Sequence, residues 1–157
     1  MVFDRKRADL EAKIQFLRRV PIFGALNEDC LQRVASIMVE KSYSRKSIVF
    51  HEGDHGDTLY IIKGGRVKIA KVAIDGREKT LTILQPGDFF GEMAIFDNMP
   101  RSATAEAIDS DVRLFGLNKN NLSNFYAFFG AKRRPFLSVF FMFFRREAAK
   151  KNILRFF

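Results

Sequence analysis

A single cysteine, Cys30, stands in the 157 residues. One thiol excludes an internal disulfide framework and any four-cysteine metal or iron–sulfur site, and it fits a reducing, cytoplasmic setting. On its helix, Cys30 is expected to be a small buried residue. Long apolar runs are missing as well. The most apolar stretch, Phe136 to Phe144 (FLSVFFMFF), is too short to cross a bilayer and has basic residues on both sides. The opening residues, MVFDRKR, lead into charged helix and not into the apolar segment of a secretory signal. There is no internal repeat at a fixed period. No serine–histidine or cysteine–histidine arrangement offers a nucleophile, so an enzyme is not expected. His51 and His55 sit in a turn-rich stretch without a second ligand set at metal spacing, so no metal or haem site is expected either.

What is present describes a folded chain. Apolar residues make up 47% and charged residues 29%, the profile of a soluble globular domain large enough for one real core. The formal net charge of +9 invites a nucleic-acid or membrane partner until its distribution is examined. Residues 1–124 carry a net of +2, and residues 125–157 carry +7 with Glu147 as their one acid. The basic character belongs to the tail, where ten of the eighteen phenylalanines also lie.

Periodicity divides the chain into three parts, residues 1–38, 39–118 and 119–157. Leu10, Ile14 and Leu17 recur at helical spacing before Pro21, and a second helix begins at Asn27, a good N-cap, with Glu28 and Asp29 favouring its positive end. From about Val39 the pattern changes to short strands. These are expected over Ser47–His51, Thr58–Lys63, Arg66–Ile74, Arg77–Leu84, Ser102–Ile108 and Val112–Leu117. Glycine turns separate them, Asp75-Gly76 being the strongest hairpin signal. In Lys79-Thr80-Leu81-Thr82-Ile83 polar and apolar residues alternate as in a half-buried strand, which places Leu81 and Ile83 in the core. Leu122, Phe125, Tyr126 and Phe129 mark a further helix capped by Gly130, and Pro135 opens another toward Lys151. Short strands at this spacing imply a closed roll or barrel.

Between two of the strands lies Gln85-Pro-Gly-Asp-Phe-Phe-Gly91-Glu92-Met93-Ala94, followed by Pro100-Arg101-Ser102-Ala103-Thr104-Ala105. This ordered pair of segments resembles the phosphate-binding cassette of cyclic-nucleotide-binding domains, and the Gly64-Gly65 and Pro86-Gly87-Asp88 turns match the same family. The opening Phe16-Leu-Arg-Arg-Val-Pro-Ile-Phe-Gly is similar to the catabolite-activator and fumarate–nitrate regulator (Crp/Fnr) branch. The resemblance implies an α+β, mainly β fold: a double-stranded β-helix, a jelly-roll-like β-roll, with N-terminal and C-terminal helices. It implies a cyclic nucleotide, cAMP or alternatively cGMP, as ligand, with no other cofactor.

The residue types suit that ligand. Gly91 lets the backbone approach a sugar-phosphate with no Cβ in the way. Residues after Glu92, including Met93 and Ala94, would form a short helical turn whose free N–H groups point at an anion. Arg101 would offer two parallel donors to the phosphate oxygens, a fork that lysine cannot reproduce. Glu92 would accept from the ribose 2′-hydroxyl. Arg101 then also offsets the repulsion between that carboxylate and the phosphate. The resemblance further implies that Ile69 and Leu81 wall the pocket, that Thr82 reaches the purine edge and that Ser102 bonds the phosphate. All of this demands a guanidinium turned into the roll.

In Crp/Fnr regulators this roll precedes a dimer helix and a helix-turn-helix. Phe157 comes too early for such a DNA-reading module, so the chain is expected to be a sensor half, a fragment or a free-standing binder, reaching DNA only through a module it lacks. For the tail three readings stand open. Phe136, Phe140, Phe143 and Phe144 would bury against a partner in a homodimer; the tail would bind membrane or nucleic acid independently of any ligand; or it is a truncated or frame-shifted gene end. Dimerisation ranks first.

Overall fold

The computed structural model describes residues 1–24, 26–92 and 98–129, with the side chains of Ile22 and residues 125–129 outside the description. Helix α1 (Val2–Arg19) ends just ahead of a single 3-10 turn, Pro21–Phe23. Helix α2 (Glu28–Ile37) follows, and the Asn27 side chain accepts from the Cys30 N–H at 2.9 Å as its N-cap. Among the described residues eight strands come next: β1 (Val39–Tyr43), β2 (Ile48–Phe50), β3 (Thr58–Gly64), β4 (Val67–Val72), β5 (Glu78–Leu84), β6 (Phe89–Phe90), β7 (Thr104–Ala107) and β8 (Val112–Asn118). Helix α3 (Lys119–Phe129) leaves directly from β8. The expected Gly130 cap and the helix from Pro135 lie outside the described residues.

The strands form two four-stranded antiparallel sheets, ordered β1-β8-β3-β6 and β2-β7-β4-β5. This is the β-roll. Strand β3 explains how it is held. Leu59 and Ile61 join one cluster with Ile14, Leu17, Leu31, Val34 and Leu122, whereas Tyr60 and Ile62 join a second with Ile69, Leu84, Phe90 and Ala105. Alternate residues of β3 therefore feed the layer between sheet and helices and the inside of the roll. A strand buried on both faces reads as a continuous apolar run. Cys30 is buried in the helical cluster.

Two short strands escaped the sequence. Strand β1 carries Glu40, Lys41 and Ser42, polar residues suited to an edge strand and poor in pattern. Strand β6 has two residues, too few for any periodicity. The expectation for Ile83 is corrected: it is 46% exposed, while Leu84 is 1% exposed. Across the β4–β5 ladder Ile69 pairs with Thr82 but Ala70 pairs with Thr80. Leu81 is thus the extra residue of a β-bulge, and the inward face passes to Thr82 and Leu84.

Candidate functional site: a buried arginine inside the roll

The site begins with a buried charge. Arg101 is 6% exposed and lies just before β7; Ala103 ahead of that strand and Ala105 and Ala107 within it turn their small side chains into the roll. Its backbone is laced to the loop between β2 and β3. The Arg101 N–H donates to the Asp54 carbonyl at 2.8 Å, and the Gly53 N–H donates to the Arg101 carbonyl at 2.7 Å. A turn over His51–Asp54 shapes that loop: the Asp54 N–H donates to the His51 carbonyl at 3.2 Å, and the His51 N–H donates to the Asp54 carboxylate at 2.9 Å.

The guanidinium lies in a slot made by three segments. Nη1 donates to the Gly91 carbonyl at 2.8 Å and Nη2 to the Thr58 carbonyl at 2.9 Å. Cζ sits 4.1 Å from the centre of the Phe50 ring and 5.9 Å from that of Tyr60, within cation–π range. Phe50, Tyr60 and Phe90 form one aromatic group, with Tyr60 and Phe90 stacked at 5.3 Å. Nε is buried and has no hydrogen-bond partner among the described residues. The guanidinium carries its N–H donors in a fixed plane, and its fork is partly engaged: two of its three nitrogens donate to carbonyls that compensate the buried cation, and the third, Nε, has no partner among the described residues.

Electrostatics point the same way. Burial pulls the Arg101 pKa below the ordinary guanidinium value, because a dry interior penalises the cation. Tyr60, Asp57, Glu92 and Asp54 each pull it back up. Glu92 is itself 8% exposed. A buried cation short of one hydrogen bond is a place where an anion is favoured.

The other predicted residues distribute as follows. Gly91 has φ +83° and its carbonyl is on Arg101. The left-handed backbone there favours glycine, and a Cβ would also stand 2.5 Å from Nη1 and push the guanidinium aside. Ile69 is buried inside the roll opposite Thr82 on β5 and Ala105 on β7. Leu81 packs partly buried against the same cluster, and Thr82 and Ser102 are half-buried. Met93 and Ala94 lie outside the described residues.

Phe50, Gly56, Thr58 and Tyr60 belong to the guanidinium slot and were not singled out from the sequence. The turn-rich stretch around His51 and His55 marked this loop, and nothing in it announces a partner 43 residues away. The loop also reaches α3. Asp57 accepts from the Thr58 hydroxyl at 2.9 Å and from the Asn118 amide at 2.8 Å, and its carbonyl accepts from the Lys119 N–H at 2.7 Å.

Comparison with known proteins agrees with this geometry. Residues 40–127 match the cyclic nucleotide-binding domain family. The chain is 38% identical over 113 residues to a CRP-like cAMP-activated global transcriptional regulator of Mycobacterium tuberculosis, covering 72% of this chain and 50% of that one. Among solved structures, the N-terminal domain of a transcriptional regulator from Streptomyces coelicolor superposes with TM-score 0.72 at 32% identity, covering 89% of this chain and 94% of that one. The regulatory domain of Toxoplasma gondii PKA with cAMP gives TM-score 0.68 at 33% identity, covering 82% and 48%. With residues 40–127 matching that family and the fold shared with a regulator's N-terminal domain, the chain belongs to the cyclic nucleotide-binding domain family.

Proposed function

We propose that the roll binds cAMP, with the guanidinium of Arg101 receiving the cyclic phosphate. The observation that carries this is the buried guanidinium with a leftover donor beside Gly91 and Glu92. Glu92 takes the ribose 2′-hydroxyl, Ser102 adds a phosphate contact, and the backbone at Met93 and Ala94 supplies N–H donors. Ile69 and Leu81 wall the base, and Thr82 meets the purine edge. The preference for cAMP over cGMP is supported by the relative named as cAMP-activated and the structural neighbour solved with cAMP.

In this reading the domain is the sensor of a Crp/Fnr-type transcriptional regulator in the cytoplasm. It acts as a homodimer through the C-terminal segment, and DNA is read by a separate module. The chain spans about half the length of the M. tuberculosis regulator. Among the described residues no helix is long and apolar enough to cross a membrane.

Thermal denaturation with each nucleotide tests the reading. A hundredfold excess of ligand over its dissociation constant is expected to stabilise the fold by about 2.7 kcal/mol. Arg101→Ala is expected to remove most of that, since losing one partner of a buried charge pair costs on the order of 2–5 kcal/mol. Calorimetric titration should give the tighter binding with cAMP. Absence of any shift with either nucleotide rules the function out.

A further inference from the structure

Gly56 stands apart from the other turn glycines. Gly53, Gly65, Gly76, Gly87 and Gly91 all have φ between 73° and 90°, where a Cβ is disfavoured, so the backbone already calls for glycine there, with crowding added at Gly65 and Gly91. Gly56 is not in that conformation. Its lack of a side chain has another cause, which the space around it supplies. A Cβ on Gly56 would overlap Nε, Cζ and Nη2 of Arg101. Gly24 and Gly64, which also have ordinary φ, would meet nothing closer than 3.5 Å. The overlap at Gly56 falls on the edge of the guanidinium that carries the unpartnered Nε–H.

We propose that Gly56 is a positioning residue for the phosphate-binding arginine: its missing side chain is the wall of the slot that lets the guanidinium lie inside the roll. This rests on the cyclic-nucleotide reading of the site and deepens it. A side chain at position 56 forces the guanidinium off the Thr58 and Gly91 carbonyls. The cation then seeks water, and the phosphate loses its partner, while Ile69, Leu81 and Thr82 keep their places in the other sheet. Gly56 therefore acts on the ligand only through Arg101.

Because Gly56 has no left-handed backbone to strain, its cost on substitution comes from the collision and disappears with the guanidinium. Gly91 is the contrast, since its φ of +83° penalises any side chain whether or not Arg101 is present.

The test is a double-mutant cycle on the full chain, with Gly56→Val and the milder Gly56→Ala made in the wild-type and Arg101→Ala backgrounds, and Gly91→Ala alongside. Melting temperatures are read without nucleotide and with saturating cAMP. In the wild-type background Gly56→Val should lower Tm by on the order of 4 °C or more, and by less than half of that in the Arg101→Ala background. Gly56→Ala should show the same coupling at smaller amplitude, and it decides the matter if the valine variant does not fold. Gly91→Ala should destabilise both backgrounds. The cAMP-induced increment should be lost in Gly56→Val with affinity at least about tenfold weaker, an effect a purely structural lesion does not have. Equal penalties for Gly56 substitution in both backgrounds, or a full cAMP increment in Gly56→Val, overturns the proposal. The nucleotide-free cycle reports on the slot even if the wild type responds to neither nucleotide, which separates failure of the slot from failure of the binding function.

Discussion

Taking a guanidinium out of water costs several kcal/mol, and Arg101 recovers part of that from two carbonyls and two aromatic faces. Other residues inside and beside the roll have charge states fixed by their surroundings. Burial, with the neighbouring Tyr60, pushes the Tyr43 phenol up from 10.0 to about 12. The neutral phenol is the form the fold favours, so its contribution is complete below pH 10 and fades as pH rises toward 12. Tyr43→Phe should accordingly lose less stability between pH 10 and 12 than the wild type, as measured by urea unfolding across that range. Asp57 behaves in the opposite sense. Hydrogen bonds from Asn118 and Thr58 hold its carboxyl below the ordinary 3.8, and the stability this gives is present above that value and lost on further acidification. Asp57→Asn should flatten the acid limb of the stability profile. Matching slopes in variant and wild type below pH 4 would show that Asp57 contributes nothing there.

At the scale of elements, local chemistry foretold the helix starts better than the strand faces. The N-cap at Asn27 was legible because capping needs only neighbours in sequence, and Asn27→Ala should cost about 1 kcal/mol in chemical denaturation. The faces of β5 were not legible. Alternation through Leu81 and Ile83 looked regular, but one extra residue in the ladder hands the interior to Thr82 and Leu84. Paired substitutions should expose this: Leu84→Ala is expected to cost on the order of 2–5 kcal/mol, and Ile83→Ala to stay within about 0.5 kcal/mol. The reverse order would restore the simple alternation. Strands β1 and β6 were missed for a related reason. Each owes its place to pairing with β8 or β3 and not to a pattern of its own.

For the whole molecule the balance of charge is the main lever. Most of the net positive charge, +7 of +9, lies after residue 124, while the match to the family ends at residue 127. Removal of residues 131–157 should therefore leave nucleotide-induced stabilisation intact and abolish self-association in sedimentation experiments. A shortened chain that remains dimeric would exclude the tail as the dimer contact. If instead the tail binds DNA or anionic lipid, that binding should fall steeply with salt and vanish with the deletion.

Sequence alone determined the family and pointed to Arg101, because the cassette pattern needs particular residue types in a fixed local order, and order survives without a fold. It also determined the helix cap and the hairpin at Asp75-Gly76, whose hydrogen bonds close within a few residues. Tertiary structure decided everything that depends on segments meeting from afar. Phe50, Gly56 and Thr58 become neighbours of Arg101 only when the β2–β3 loop folds onto the strand after it. Which side chains of β5 face inward was settled by its ladder with β4. Packing and space are properties of pairs, and a single chain read in order does not contain them.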